Sequence, residues 1–353
     1  MKLKLSHKKW ICFFLVCALI LTVIMSCFMY IVDPFFQFRV RDNSYMLNPR
    51  FVNAGLIKNY EYDTLIIGSS MAQNFDMELF RQQLDAKPLH VSLGGITPLE
   101  TVELMALANQ QGKAEHYYIC VDLHSFSLET KPSTNPSYLM SSGPLYTARY
   151  LLSYEAWFRF MPLDLAFSAL NKLNINLPPK FTQSTSIDYL GNWENDFTYG
   201  EDVVLSNYSS GSYAVSEVDL SGMSERMESN FDMLLSTAAS VDGEISFFFP
   251  PYSSLYWYSS PDYIDTYLEF KERFISQACK LGFTVYDFQS SSLCADLNNY
   301  KDSTHYSGEI NDWMTCCFAS GEHIVSPETA ADFQQSLRDN IALFYKRYSD
   351  RLE

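Results

Sequence analysis

From Ile11 to Val32 the chain runs 22 residues without a charge, between a basic stretch (Lys2, Lys4, His7, Lys8, Lys9) and Asp33-Pro34. As a helix rising about 1.5 Å per residue, such a run reaches about 33 Å, enough to cross the hydrocarbon core of a bilayer. It is longer than the roughly 7 to 15 apolar residues of a cleaved signal peptide, and Ser26-Cys27-Phe28 is not a small-x-small cleavage site. The expectation is a retained, single-pass anchor over 11–32 in the plasma membrane. The lysines keep the tail 1–10 in the cytoplasm and put everything after Asp33 outside.

The part beyond the anchor is strongly acidic. Four of the 25 basic residues precede the apolar run and all 41 acidic ones come after it, so 21 basic residues face 41 acidic ones there, a net of −20. That surface repels phosphate backbones and argues against a nucleic-acid partner. Of eight cysteines, Cys12, Cys17 and Cys27 lie in the span. Cys120, Cys279, Cys294, Cys316 and Cys317 remain, an odd number without Cys-x-x-Cys spacing, so neither a zinc site nor a dense disulfide framework is indicated. A Cys279–Cys294 bridge would close a short loop. No H-E-x-x-H and no G-x-G-x-x-G occurs, and no metal or cofactor is expected.

Residues 33–60, with Phe35, Phe36, Phe38 and Tyr45 among Arg39, Arg41 and Arg50, read as a juxtamembrane segment packing back on the globular part. From 61 to 353 apolar strand-like runs alternate with helical stretches. Strands are expected at Asp63–Gly68, Pro88–Leu93, His116–Leu123, Glu244–Phe249 and Phe283–Asp287. Helices are expected at Phe75–Leu84, after Thr97-Pro98, at Tyr263–Leu281, Glu309–Phe318 and Pro327–Tyr348. This alternation predicts a three-layer α/β/α sandwich with a mostly parallel sheet. Residues 125–240 are less regular, with aromatics around Tyr154, Trp157 and Phe158 and a polar stretch from Phe181 to Ser216. They are expected to form an insertion, a lid or a substrate-binding element, whose aromatics either stack on sugar faces or make up the insertion's own core.

Two short stretches carry chemistry. Leu65-Ile-Ile-Gly-Ser-Ser70 ends a strand in a glycine and two hydroxyls, where an exposed oxygen and free backbone N–H groups can face one space. A helix cap is the plain alternative for the serines. Asp302-Ser-Thr-His305 lets one turn set a carboxylate against one imidazole nitrogen and leave the other for a serine.

With these blocks the chain resembles the SGNH (GDSL-like) hydrolase superfamily, especially its membrane-anchored cell-envelope branch of alginate O-acetylation and DltD-type proteins. The resemblance covers most of 60–320. It implies a flavodoxin-like sheet with Ser70, in Gly68-Ser69-Ser70, as nucleophile and first oxyanion donor. Gly95, in Leu93-Gly94-Gly95-Ile96-Thr97, becomes the second oxyanion donor, and Asp302 and His305 complete the triad. The third block, Gly-x-Asn-Asp, is absent; the strand end reads Cys120-Val-Asp-Leu-His-Ser125, leaving Asn74 or His124 to replace its donor. The implied function is an extracytoplasmic serine esterase or O-acyltransferase acting through an acyl-serine. Its partners would be an acylated glycan or teichoic-acid-like polymer and a membrane-bound acyl-transfer protein. The alternative is a catalytically inactive relative that binds or organises such a polymer.

Overall fold

The computed structural model describes residues 7–40, 49–127, 133–153, 157, 198–211 and 222–352. Two compact units divide the chain, Met1–Tyr60 with Asn135–Ser186, and Glu61–Thr134 with Ile187–Glu353.

The first unit contains α1 (His7–Val32), α2 (Pro49–Asn59) and, from the later segment, α6 (Pro144–Leu151). The stretch His7–Ile31 of α1 is long and apolar enough to cross a membrane, with mean hydropathy 2.9 and none of its most apolar window buried. The chain leaves α1 through a built corner. Asp33 takes a left-handed backbone (φ 48°) and is 1% exposed. Its carboxylate accepts from the backbone N–H groups of Gln37, Phe38 and Arg39 at 2.9 to 3.0 Å and from the Tyr150 hydroxyl at 2.9 Å. Burial pushes the Asp33 carboxyl up, against the pull of those donors. The juxtamembrane segment thus packs on α6, and α2 approaches it so closely that a Cβ on Gly55 would lie 2.1 Å from the Phe35 carbonyl oxygen.

The second unit is built on five short strands: β1 (Thr64–Gly68), β2 (Pro88–Ser92), β3 (His116–Cys120), β4 (Glu244–Phe249) and β5 (Thr284–Asp287). They lie in the order β2-β1-β3-β4-β5 with every neighbouring pair parallel, as the alternation predicts. Strands buried on both faces need apolar side chains in both directions, and β4 shows how this is met. Phe247 and Phe249 meet Phe274 of the helix Pro261–Lys280 at 5.1 and 5.6 Å. Phe248 points the other way, to Phe75 at 5.9 Å and Phe318 at 5.5 Å. On that second face α3 (Met77–Leu84) packs on the helix Gly308–Ser320. On the first, α4 (Pro98–Gln111) packs on the helix Met223–Ala238. Three layers result. The β4–β5 side is braced by a buried ion pair, Lys271 Nζ to Asp287 Oδ2 at 2.5 Å.

Several boundaries move for local reasons. Asp76 caps α3 by accepting from Glu78 N and Leu79 N, so the helix begins at Met77 rather than Phe75. The strand expected to reach Leu123 stops at Cys120, and Leu123–Ser127 turns into a short helix, α5. Within the stretch read as irregular, Glu201–Ser209 and Met223–Ala238 are helices, α7 and α8. The remaining helices are α9 (Ser254–Tyr258), α10 (Pro261–Lys280), α11 (Gly308–Ser320) and α12 (Ala330–Leu352). Of the expected lid, 128–132, 154–156, 158–197 and 212–221 lie outside the described residues. The Cys279–Cys294 bridge is not formed: all eight cysteines are free thiols, with Cys279 Sγ directed to Val325 O and Cys294 Sγ to Phe288 O.

Candidate active site

In an open parallel sheet, ligands bind outside the carboxyl ends of the strands where the order reverses. Here that point lies between β1 and β3, since the chain leaves β1 for β2 on one side and β3 flanks β1 on the other. Gly68 ends β1 under close constraint. A Cβ there would sit 2.5 Å from Ala72 Cβ and 2.8 Å from Cys120 Cβ, so only glycine lets the next turn fold back over β3. That turn is the 3₁₀ segment Ser70–Ala72.

The two serines separate in role. Ser69 is 1% exposed and caps the turn, its hydroxyl accepting from Met71 N at 3.3 Å. Ser70 is partly exposed, and its Oγ lies 2.8 Å from His305 Nε2. His305 Nδ1 in turn lies 2.8 Å from Asp302 Oδ2 and 3.0 Å from Oδ1. With Nδ1–H donating to the carboxylate, Nε2 is left as the acceptor of the Ser70 proton.

Asp302 is held by more than the imidazole. Its Oδ1 accepts from His305 N at 2.8 Å and Thr304 N at 2.9 Å, the expected result of a three-residue spacing closing one turn. At 3% exposure, burial by itself raises its pKa. The His305 bond and charge, with the two backbone donors, outweigh burial and leave the carboxyl below its ordinary value. Ser303 anchors the loop from behind, its carbonyl accepting from Ser253 Oγ at 2.6 Å and Ser253 N at 3.2 Å. His305 stays 34% exposed on its free side.

In front lies a small, open cleft lined by Ser70, Gln73, Asn74, Tyr199, Lys301 and His305 among others. Of the candidate oxyanion donors beyond Ser70, Asn74 lines it, while Gly95 and His124 lie on neighbouring strand ends outside its walls. Asn74 Nδ2 donates to Tyr306 O at 3.4 Å, and its buried Oδ1 has no partner among the described residues. Gly95 (φ 63°) is exposed on a turn closed by Ile96 N to Leu93 O. Leu93 N donates to Gly68 O at 2.9 Å, which ties that turn to the end of β1. The His124 backbone N–H donates to the Tyr252 hydroxyl at 3.4 Å, and its Nδ1 is buried without a partner among the described residues.

Sequence reasoning misses Tyr199 and Lys301. Burial lowers the Lys301 ammonium, against the pull of Asp302, and burial then the Asp302 charge raise the Tyr199 phenol. Lys301 has a signal in its place next to Asp302; Tyr199 has none. Among the described residues no group of three or more His, Cys, Asp or Glu side chains could hold a metal ion. No protein-family model matches this chain, and no curated protein does.

Proposed function

We propose that this chain is a membrane-anchored serine esterase or O-acyltransferase of SGNH type that works through an acyl-Ser70 intermediate. The observation that carries the reading is the continuous line from Ser70 Oγ through His305 to Asp302, with both links at 2.8 Å. Such a relay suits acyl transfer. His305 Nε2 takes the Ser70 proton as Oγ bonds to the ester carbonyl carbon, and the resulting imidazolium returns that proton to the departing alcohol. The acyl group then passes to water or to an acceptor hydroxyl, whose proton His305 takes in the second half. The Ser70 and Gly95 amides are the proposed oxyanion donors, with the Asn74 side chain, which lines the cleft, as a further candidate.

The strand order and the site at the ends of β1 and β3 support the SGNH assignment, while the missing third block is its departure. The proposed substrate is an acylated envelope glycan or teichoic-acid-like polymer, passed on with a membrane-bound acyl-transfer partner. The proposed topology is single-pass, with α1 in the plasma membrane, the N-terminus cytoplasmic and the site outside.

The test is mass spectrometry of the detergent-solubilised full chain after treatment with a serine-directed organophosphonate. An adduct on Ser70 that disappears in Ser70→Ala and His305→Ala supports the reading. Asp302→Ala should retain slow labelling, since a poorly oriented imidazole still accepts a proton. No adduct on the wild-type chain would overturn it in favour of the inactive polymer-binding alternative.

A further inference from the structure

The bond between Ser70 and His305 cannot be what keeps their loops together, because it is lost whenever Ser70 is acylated. A second link joins the same two loops one residue further along each. Tyr306, 3% exposed, donates its hydroxyl to the Met71 carbonyl at 2.6 Å. Its own carbonyl accepts from Asn74 Nδ2 at 3.4 Å, so Tyr306 grips the nucleophile turn through both side chain and backbone. On its other side the His305 loop is a closed unit. Tyr300 and Tyr306 form an antiparallel bridge, Lys301 N donates to His305 O at 3.0 Å and Ser307 N to Asn299 O at 2.9 Å. The Tyr306 ring stands edge-on to Tyr300 at 6.3 Å.

From this geometry we propose that Tyr306 is a positioning residue, which holds His305 over the Ser70 turn while the serine carries its acyl group. The inference rests on the acyl-serine mechanism of the proposed function. During acylation the Ser70–His305 hydrogen bond also aligns the pair, so loss of the Tyr306 hydroxyl is tolerated. During deacylation that bond is absent, and the Tyr306–Met71 link, with the weaker Asn74–Tyr306 one, carries the alignment that keeps Nε2 where it can take the proton of the incoming hydroxyl as the acyl–Oγ bond breaks and Oγ regains a proton. Misplacing a catalytic group by about 1 Å can cost about a hundredfold in rate.

The experiment compares wild type, Tyr306→Phe and Asn311→Ala in detergent, with an activated aryl acetate as acyl donor. Phenylalanine keeps the ring packing and removes only the hydroxyl; Asn311 Nδ2 is the other donor to the Met71 carbonyl, at 3.3 Å, and comes from the first turn of α11 rather than from the residue next to His305. Tyr306→Phe should keep the burst of released phenol, accumulate acetyl-Ser70 visible by mass, and lower kcat and KM together by about ten- to a hundredfold. Asn311→Ala should lose comparable thermal stability without accumulating the acetyl-enzyme. Equal acetyl-Ser70 occupancy in Tyr306→Phe and wild type, or equal accumulation in both variants, overturns the positioning role alone. A wild-type chain that forms neither acetyl nor phosphonyl adduct removes the proposed function, and this inference with it.

Discussion

Adjacent serines in one turn face different demands. Ser69 is committed to capping while Ser70 faces His305, so Ser69→Ala should cost about 1 kcal/mol of stability and, on the proposed mechanism, leave Ser70 labelling in place, checked by denaturant melts beside phosphonate labelling. Gly68-Ser-Ser alone leaves a helix cap open for either serine, and it is the fold that sets Ser70 against His305 and Ser69 to capping; the Asp302–His305 spacing is legible because three residues close one turn. The residues packed in front of the pair are not, since Tyr199 reaches the cleft through a fold no local pattern encodes. Asp302 carries a pH signature. Its folded pKa is lowered from 3.8, so its contribution to stability is complete above that value and is lost as pH falls through the lower, folded one. The melting temperature of wild type should therefore exceed that of Asp302→Asn at neutral pH, with the gap closing in acid below pH 3.8.

Elements are legible where one physical signal dominates. The strands are short apolar runs, and α4 announces itself through Thr97, Pro98 and Glu100, which form a full capping box. The helix Met223–Ala238 escapes notice although Met223, Met227, Phe231, Leu234, Leu235 and Ala238 fall on one buried face. Its N-cap is Gly222, without a side-chain bond, so the periodicity has no start signal beside it. The helix Pro49–Asn59 is hidden for a different reason: Gly55 lowers its helix propensity to allow backbone contact at Phe35. Between β5 and the helix Pro261–Lys280, Lys271 and Asp287 are 1% and 0% exposed, and burial lowers the lysine's pKa against the pull of the aspartate. Lys271→Met alone leaves a buried carboxylate and should cost about 3 to 5 kcal/mol, whereas Lys271→Met with Asp287→Leu should recover most of it, measured by chemical denaturation.

At the level of the whole molecule, the apolar helix α1 passes directly into a packed corner rather than a loose tether. Lys58 in that first unit donates to the carbonyls of Leu139 and Ser141 and to Gln37 Oε1, and burial lowers its pKa to about 8 from 10.5. Between those values the unfolded chain binds the extra proton, so the first unit gains stability as pH rises from about 8 toward 10.5. Hydrogen exchange of residues 33–40 at two pH values, corrected for intrinsic rate, should show protection increasing over that window in wild type and staying flat in Lys58→Met. The existence of the long apolar helix is plain in the sequence. The corner is not, because it depends on Asp33 adopting a left-handed conformation and on Tyr150, 117 residues away.

Ser70 and His305 are separated by 235 positions along the chain. At a synthesis rate of about 5 to 20 residues per second, the serine leaves the ribosome roughly 10 to 50 s before its base exists. Throughout that interval the hydroxyl is an ordinary alcohol, unable to capture acyl groups from metabolites around the nascent chain. On the proposed mechanism the pair therefore assembles only once residue 305 has been made and folded against the turn at Ser70.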